Sequence, residues 1–174
     1  VSQKFALYGN LTVRENLEFF GGAYRRRGNA LRQRVDAVVE QFGLEPSALS
    51  GLLPGGYKQR LAMAAGLIHE PEILFLDEPT SGIDPLARRA FWRTITGLAQ
   101  GGVTIVVTTH FMEEAEYCDR IAIQDAGRML ALGAPQAVRE QAGGDHCVDM
   151  NSAFIAIVEQ GRAAGRLAGN GGRA

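Results

Sequence analysis

The most informative stretch of this sequence is Ile73-Leu74-Phe75-Leu76-Asp77-Glu78-Pro79, which continues directly into Thr80-Ser81-Gly82-Ile83-Asp84-Pro85. The first four residues form a continuous apolar run, which is typical of a strand covered on both faces. Two adjacent acids follow at the carboxyl end of that strand, where open α/β sheets hold their ligands. Asp84 before Pro85 predicts the N-cap and first residue of a helix. The stretch therefore predicts a buried strand, an acidic loop and a helix.

Helices and strands are predicted to alternate on both sides of this stretch. The capping-box pattern Thr12-Val13-Arg14-Glu15 predicts a helix that starts at Thr12 and runs through Phe20. Further helices are expected over residues 30–42, 57–69, 85–99, 111–118, 135–142 and 151–160, and strands over 73–76, 103–109, 121–124 and 129–132. Strands that alternate with helices indicate an α/β fold with a parallel sheet covered by helices.

The two acids at the strand end are candidates for metal and water chemistry. Successive side chains of a strand point to opposite faces, so Asp77 and Glu78 cannot face the same atom. One could hold Mg²⁺ while the other orients and polarises an attacking water. The alternative is that both acids only cap the following turn. His110 ends the second predicted strand, where it could donate a hydrogen bond to a terminal phosphate or serve a structural role.

The pair Gly55-Gly56 precedes a predicted helix and is a candidate anion site. Glycines let backbone N–H groups approach an anion, and a helix N-terminus adds partial positive charge. The alternative is an ordinary loop. The phosphate-loop pattern G-x-x-x-x-G-K-[S/T] is absent from these 174 residues, because Lys4 precedes Phe5 and Lys58 precedes Gln59.

Composition and charge narrow the class of protein. The chain is 46% hydrophobic and 21% charged, as expected for one globular domain. Its formal net charge is -1, whereas nucleic-acid binders usually carry a basic excess, so we expect no nucleic-acid partner. Cys118 and Cys147 lack metal-ligand spacing and are expected to be reduced in a cytosolic setting. No apolar run approaches the ~20 residues of a membrane helix, so any membrane role is predicted to be peripheral.

Five motifs in this order resemble those of the ABC transporter ATPase family, and most closely its ABC-2 type multidrug or drug-export branch. They are carried by Gln3, Gly55-Gly56, Leu76-Asp77-Glu78-Pro79, Ser81-Gly82-Ile83-Asp84 and His110. The branch is suggested by the runs 11–17, 57–61, 76–85 and 108–116. The resemblance extends to about Pro135, and more loosely to Glu159. It implies a P-loop NTPase-like fold, in which helices flank a parallel sheet in three layers and a helical subdomain is inserted.

The resemblance also implies a role for each candidate residue. Gln3 corresponds to the Q-loop glutamine, Asp77 to the Walker B aspartate and Glu78 to the catalytic base. Asp84 corresponds to the D-loop acid and His110 to the switch histidine. Residues 53–57 correspond to the signature motif, which closes over ATP held by the opposite subunit. The residues expected to contact ATP are therefore Gln3, Pro54, Gly55, Gly56, Tyr57, Asp77 and Asp84, with Gln3 and Asp77 on Mg²⁺ and Glu78 and His110 catalytic.

The chain departs from the family pattern at two places. Pro54 stands where the family usually has serine and Tyr57 where it often has glutamine, so contact with a γ-phosphate would rest on the Gly55 and Gly56 amides. The family's Walker A loop and its aromatic base-stacking residue should precede Gln3, where this sequence has no such residues. We therefore expect a piece of a longer protein that is inactive alone.

The domain organisation implied by the resemblance is a partial ATPase domain over residues 1–160. It comprises a helical subdomain over about 10–70, an α/β core over 71–135 and C-terminal helices over 136–160. Residues 161–174 are rich in Gly, Ala and Arg and are expected to form a flexible tail.

The leading functional hypothesis is an ATPase that energises the export of drugs or other small molecules. Its expected partners are an ABC-2 type transmembrane permease and a second ATPase domain, as a homodimer or fused in tandem, at the inner face of the cell membrane. One alternative is a catalytically incompetent remnant or regulatory partner that contributes only the Gly55-Gly56 half-site. A third hypothesis, an ABC ATPase acting on DNA or ribosomes, requires long heptad arms or a basic surface, which the sequence lacks.

Overall fold

The computed structural model describes residues 7–25, 27–143 and 149–170. Within it the chain divides into two compact units, Val1–Thr109 and His110–Ala174. The division falls inside the stretch 71–135 that the sequence assigned to a single core. Gln3 and Cys147, named above, lie outside the described residues.

The first unit begins with a bundle of three helices. They are α1 (Val13–Ala23), α2 (Gly28–Phe42) and α3 (Gly55–Leu67), with a short 3-10 helix at Ser50–Leu52 before α3. The predicted capping box is confirmed, because the Thr12 side chain accepts the Glu15 N–H while the Glu15 carboxylate accepts the Thr12 N–H. Each helix turns an apolar stripe inward; the fully buried side chains include Val13, Leu17, Val35, Val38, Leu61 and Ile68.

The first unit ends with a strand, a helix and a strand. These are β1 (Ile73–Asp77), α4 (Pro85–Gln100) and β2 (Thr104–Thr108). The two strands pair in parallel, in a register that sets Ile73 opposite Thr104 and Asp77 opposite Thr108. The predicted parallel pairing is confirmed, and the crossover helix that such a pair requires is α4.

The prediction that β1 is covered on both faces is wrong for the part of the chain described. Leu74 and Leu76 are buried, but Ile73 is 52% exposed and Phe75 is 63% exposed. On β2, Val106 is also exposed. Because side chains alternate along a strand, these residues lie on one face of the sheet, and the described chain covers only the opposite face.

The described residues of the second unit form a 3-10 helix, a hairpin and two α-helices. After a 3-10 helix at Met112–Tyr117 come β3 (Ile121–Asp125), β4 (Arg128–Gly133), α5 (Pro135–Gly143) and α6 (Met150–Asn170). The hairpin strands pair antiparallel and form a separate two-stranded sheet, so the predicted extension of the parallel sheet is wrong here. Ala126 and Gly127 connect them with φ of 47° and 75°. Two residues can join only antiparallel strands, and positive φ at both favours the turn that fits their twist.

The last helix is longer than the sequence predicts. A flexible tail was expected from Gly161, yet α6 continues to Asn170. Two contacts hold this extension: Gly161 lies against Leu130, and the Arg162 guanidinium donates two hydrogen bonds to Asp125, at 2.8 and 3.0 Å. The same guanidinium holds the pKa of the Asp125 carboxyl below its ordinary value. None of the helices in the described ranges has the length and apolar character needed to cross a bilayer.

Substitution of two glycines tests the helix assignments, because the two changes should shift the free energy of unfolding in opposite directions. Gly43 ends α2 in the left-handed region, at φ 58°, so Gly43→Ala should lower the free energy of unfolding by about 1–2 kcal/mol. Gly22 lies inside α1 with nothing within 4 Å of an added Cβ, so Gly22→Ala should raise it by about 0.5–1 kcal/mol. Urea unfolding of both variants provides the measurement, and equal effects would contradict these assignments.

Candidate nucleotide site

Two carboxylates stand at the end of β1, and β2 holds them there. The Thr108 hydroxyl donates to Asp77 Oδ1 at 2.5 Å. The backbone N–H of Glu78 donates to the Thr108 carbonyl at 3.0 Å and to the Thr108 hydroxyl at 3.2 Å. The parallel register is the cause, because it places Thr108 directly opposite Asp77. Asp77 and Glu78 thus both bond Thr108, which was not among the predicted site residues.

The chain reverses direction immediately after β1. Glu78 has φ 42°, in the left-handed region that non-glycine residues rarely adopt. The turn that follows is closed by the Ser81 N–H, which donates to the Glu78 carbonyl at 3.2 Å, and it is anchored by Thr80, which is fully buried. Strained backbone of this kind costs about 1–3 kcal/mol and persists where surrounding contacts fix it, often at functional sites.

Asp84 starts α4. Its carboxylate accepts the N–H groups of Leu86 and Ala87, both at 3.0 Å, so it is a complete N-cap as predicted. Pro85 occupies the first helical turn, where its missing N–H costs nothing.

A cleft of about 160 Å³ separates the first turns of α3 and α4. Its walls bring three predicted residues, Pro54, Gly56 and Tyr57, together with Asp84. The remaining lining residues are Gln59, Arg60, Ile83, Ala87 and Phe91. The Arg60 guanidinium lies 5.1 Å from the centre of the Tyr57 ring, a cation–π distance. The cleft thus joins the two segments that the sequence identified separately as a glycine pair and an acidic turn.

The first turn of α3 is open at its backbone. Pro54 occupies the N-cap position and makes no side-chain cap. The amides of Tyr57 and Lys58 donate to the Pro54 carbonyl, whereas a Cβ added at Gly55 would meet nothing within 4 Å. The amide groups that begin a helix need acceptors from outside it, so this end can take an anion.

Two predicted site residues belong to other parts of the chain. Gln3 lies outside the described residues, and His110 is the first residue of the second unit, two positions beyond β2. The His110 ring lies 4.1 Å from the ring of Phe111. The roles assigned to these two residues remain predictions.

Comparison with known proteins identifies the family. The family described as "ABC transporter" matches residues 1–81, and one described as "AAA domain, putative AbiEii toxin, Type IV TA system" matches residues 53–114. The "Probable multidrug ABC transporter ATP-binding protein YbhF" of Escherichia coli K12 is 51% identical over 162 residues, which cover 91% of this chain and 28% of YbhF. The chain belongs to the ATP-binding domains of ABC transporters.

Other ABC relatives agree in sequence and in fold. The "Linearmycin resistance ATP-binding protein LnrL" of Bacillus subtilis is 39% identical over 91% of this chain and 53% of LnrL. The chain thus spans about a quarter to a half of the length of these two relatives. A solved structure described as the ATP-binding subunit of an ABC transporter superposes with a TM-score of 0.76, at 27% identity, over 91% of this chain and 67% of that one. The predicted α/β fold of P-loop NTPase type is confirmed.

Two substitutions test the capping role of Asp84. Asp84→Ala removes the acceptor for two helix N–H groups and should lower the free energy of unfolding by about 1 kcal/mol. Asp84→Asn keeps an acceptor oxygen and should cost only a few tenths of that. Urea unfolding measures both, and equal losses would contradict the cap geometry.

Proposed function

We propose that this chain is the part of an ABC exporter ATPase that supplies the water-activating carboxylate and the signature half-site, and that ATP hydrolysis there energises export of drugs or other small molecules. The observation that carries the proposal is the pair of adjacent acidic residues at the carboxyl end of β1, where the Asp77 carboxylate and the Glu78 backbone N–H both bond Thr108 at the end of the parallel strand β2. Support also comes from YbhF, named for multidrug transport, and LnrL, named for linearmycin resistance.

The donor set at Asp77 fits Mg²⁺. A carboxylate oxygen is a ligand that Mg²⁺ prefers, and Mg²⁺ usually takes only one or two protein carboxylates and completes its shell with water and phosphate oxygens. Asp77 is exposed, and its Oδ1 accepts the hydrogen bond from the Thr108 hydroxyl. Its other carboxylate oxygen has no hydrogen-bond partner in the described chain. No group of three or more His, Cys, Asp or Glu side chains with metal geometry occurs there either, as expected if ATP supplies further ligands. Bound Mg²⁺ would neutralise charge on the phosphate oxygens.

Glu78 would act as the general base. Its backbone is held at the strand end by Thr108, and its side chain leaves the chain at the start of a tight turn. From there Glu78 would accept a proton from the attacking water, while Asp77 stays on the metal. His110 would donate a hydrogen bond to the terminal phosphate, and Gln3 would contact the metal and the water.

The cleft between α3 and α4 would face a second ATPase domain. Gly55 and Gly56 would present their amides, together with the positive end of α3, to the terminal phosphate of ATP held by that domain. Pro54 can offer neither a hydroxyl nor an N–H, so these glycines would carry the contact. Asp84 and Tyr57 would line the same contact.

The location and remaining partners follow from the same proposal. We propose that the whole protein binds an ABC-2 type permease at the inner face of the membrane, through the helical subdomain that contains α1, α2 and α3. We further propose that the Walker A loop comes from sequence outside these 174 residues, consistent with the fraction of YbhF and LnrL that the chain spans.

Glu78→Gln tests the catalytic assignment in the intact gene product. Loss of the general base should lower the rate of ATP hydrolysis at least about a hundredfold and change ATP affinity less than about twofold. Glu72→Gln, at an exposed position just before β1, is the matched control and should leave hydrolysis unchanged. Steady-state hydrolysis and equilibrium nucleotide binding provide the readouts, and unchanged turnover in Glu78→Gln would refute the role of Glu78.

A regulatory half-site is the second candidate function. Pro54 at the N-cap of α3 favours it, because the serine hydroxyl usual in the family is missing. In that case the intact gene product would bind a partner ATPase without hydrolysing ATP itself.

Nucleotide titration separates the alternatives. The isolated 174-residue chain should show no ATP binding at micromolar concentration, because it contains no phosphate loop. The intact gene product should bind ATP if it is the exporter ATPase and should not if it is only a regulatory half-site. Isothermal titration calorimetry measures both, and micromolar binding by the isolated chain would contradict both candidates.

A further inference from the structure

The Thr108 side chain joins the two carboxylate residues by two different hydrogen bonds. A threonine hydroxyl has one hydrogen to donate and lone pairs that accept. Since the Glu78 N–H can only donate to it, at 3.2 Å, and the ionised Asp77 carboxylate can only accept from it, at 2.5 Å, the direction of both bonds is fixed. Bonds arranged in such a chain polarise and strengthen one another.

The position of Thr108 makes these bonds possible. It is the last residue of β2 and is paired with Asp77, so both side chains lie on the same exposed face of the sheet. Threonine is β-branched and therefore stiff at χ1, which keeps the hydroxyl aimed along the sheet.

The same residue holds the turn at Glu78. The Glu78 N–H is shared between the carbonyl and the hydroxyl of Thr108. Glu78 itself has the unfavourable φ of 42°. A backbone in that region relaxes unless its neighbours prevent it. Thr108 is therefore placed to set both the rotamer of Asp77 and the direction in which the Glu78 side chain leaves the strand.

We propose that Thr108 is a positioning residue for ATP hydrolysis, which acts through Asp77 and Glu78 without touching the nucleotide. This inference rests on the proposed function of the two carboxylates. Misplacement of a reacting group by about 1 Å can reduce a rate about a hundredfold, so the hydroxyl is expected to affect turnover more than nucleotide affinity.

Three variants of the intact gene product test the role. Thr108→Val keeps the shape and β-branching of the side chain but removes the hydroxyl, and it should lower kcat for ATP hydrolysis between about tenfold and a hundredfold with a smaller change in KM. Thr108→Ser keeps the hydroxyl and should restore most of the activity. Thr104→Val is the matched control on the same strand and face, because the Thr104 hydroxyl makes no hydrogen bond in the described chain, and it should behave as wild type.

Amide hydrogen exchange at Glu78, measured without nucleotide, gives a readout that is independent of activity. Thr108→Val should accelerate exchange of this amide about fivefold or more, whereas Thr108→Ser and Thr104→Val should not. Wild-type kcat and wild-type exchange in Thr108→Val would overturn the proposal, as would a Thr108→Ser variant as impaired as Thr108→Val. If the unsubstituted protein does not hydrolyse ATP, the proposed function fails, and the exchange rates alone decide whether Thr108 positions this turn.

Discussion

The candidate site depends on one constraint, the parallel register of β1 and β2. Pairing of Asp77 with Thr108 brings both strands to an end at the same level of the sheet. At this level Asp77 supplies a carboxylate and Thr108 holds it with its hydroxyl. The backbone then turns sharply at Glu78. A shift of one residue would put Thr108 on the opposite face and break the contact with Asp77. The chemistry proposed for this protein therefore begins with a strand register and not with the acids alone.

α4 connects this register to the second half of the site. It starts at a cap made by Asp84, which itself lies on the cleft that faces the first turn of α3. The acidic turn and the glycine pair thus border one segment of seven residues, 78–84. A rearrangement of that segment would therefore move both the acidic turn and the lining of the cleft.

Local signals in the sequence predicted the elements well. The capping box at Thr12, the Asp84-Pro85 helix start and Gly43 after α2 all depend on a few neighbouring residues, and the structure has each of them. What failed depends on tertiary contacts. Whether Phe75 is covered depends on which other elements lie over the sheet. Helix α6 continues beyond Gly161 because of contacts with Leu130 and Asp125, which the composition of the tail does not reveal. The hairpin was foreseeable from the short link, residues 125–128 with a glycine, between the two predicted strands.

The same contrast between local signals and tertiary contacts holds for the residues of the site. Asp77 and Glu78 were found because adjacent acids after an apolar run are a local pattern, and Asp84 because it precedes proline. Thr108 was missed as a site residue because its role follows from register, which the sequence does not state.

The most direct test of the proposed site is an experimental structure of the intact gene product carrying Glu78→Gln, with ATP and Mg²⁺ bound. Asp77 should lie on the metal, directly or through one water, with the terminal phosphate beside residue 78. Nucleotide bound away from these strand ends, or β1 and β2 unpaired, would contradict it.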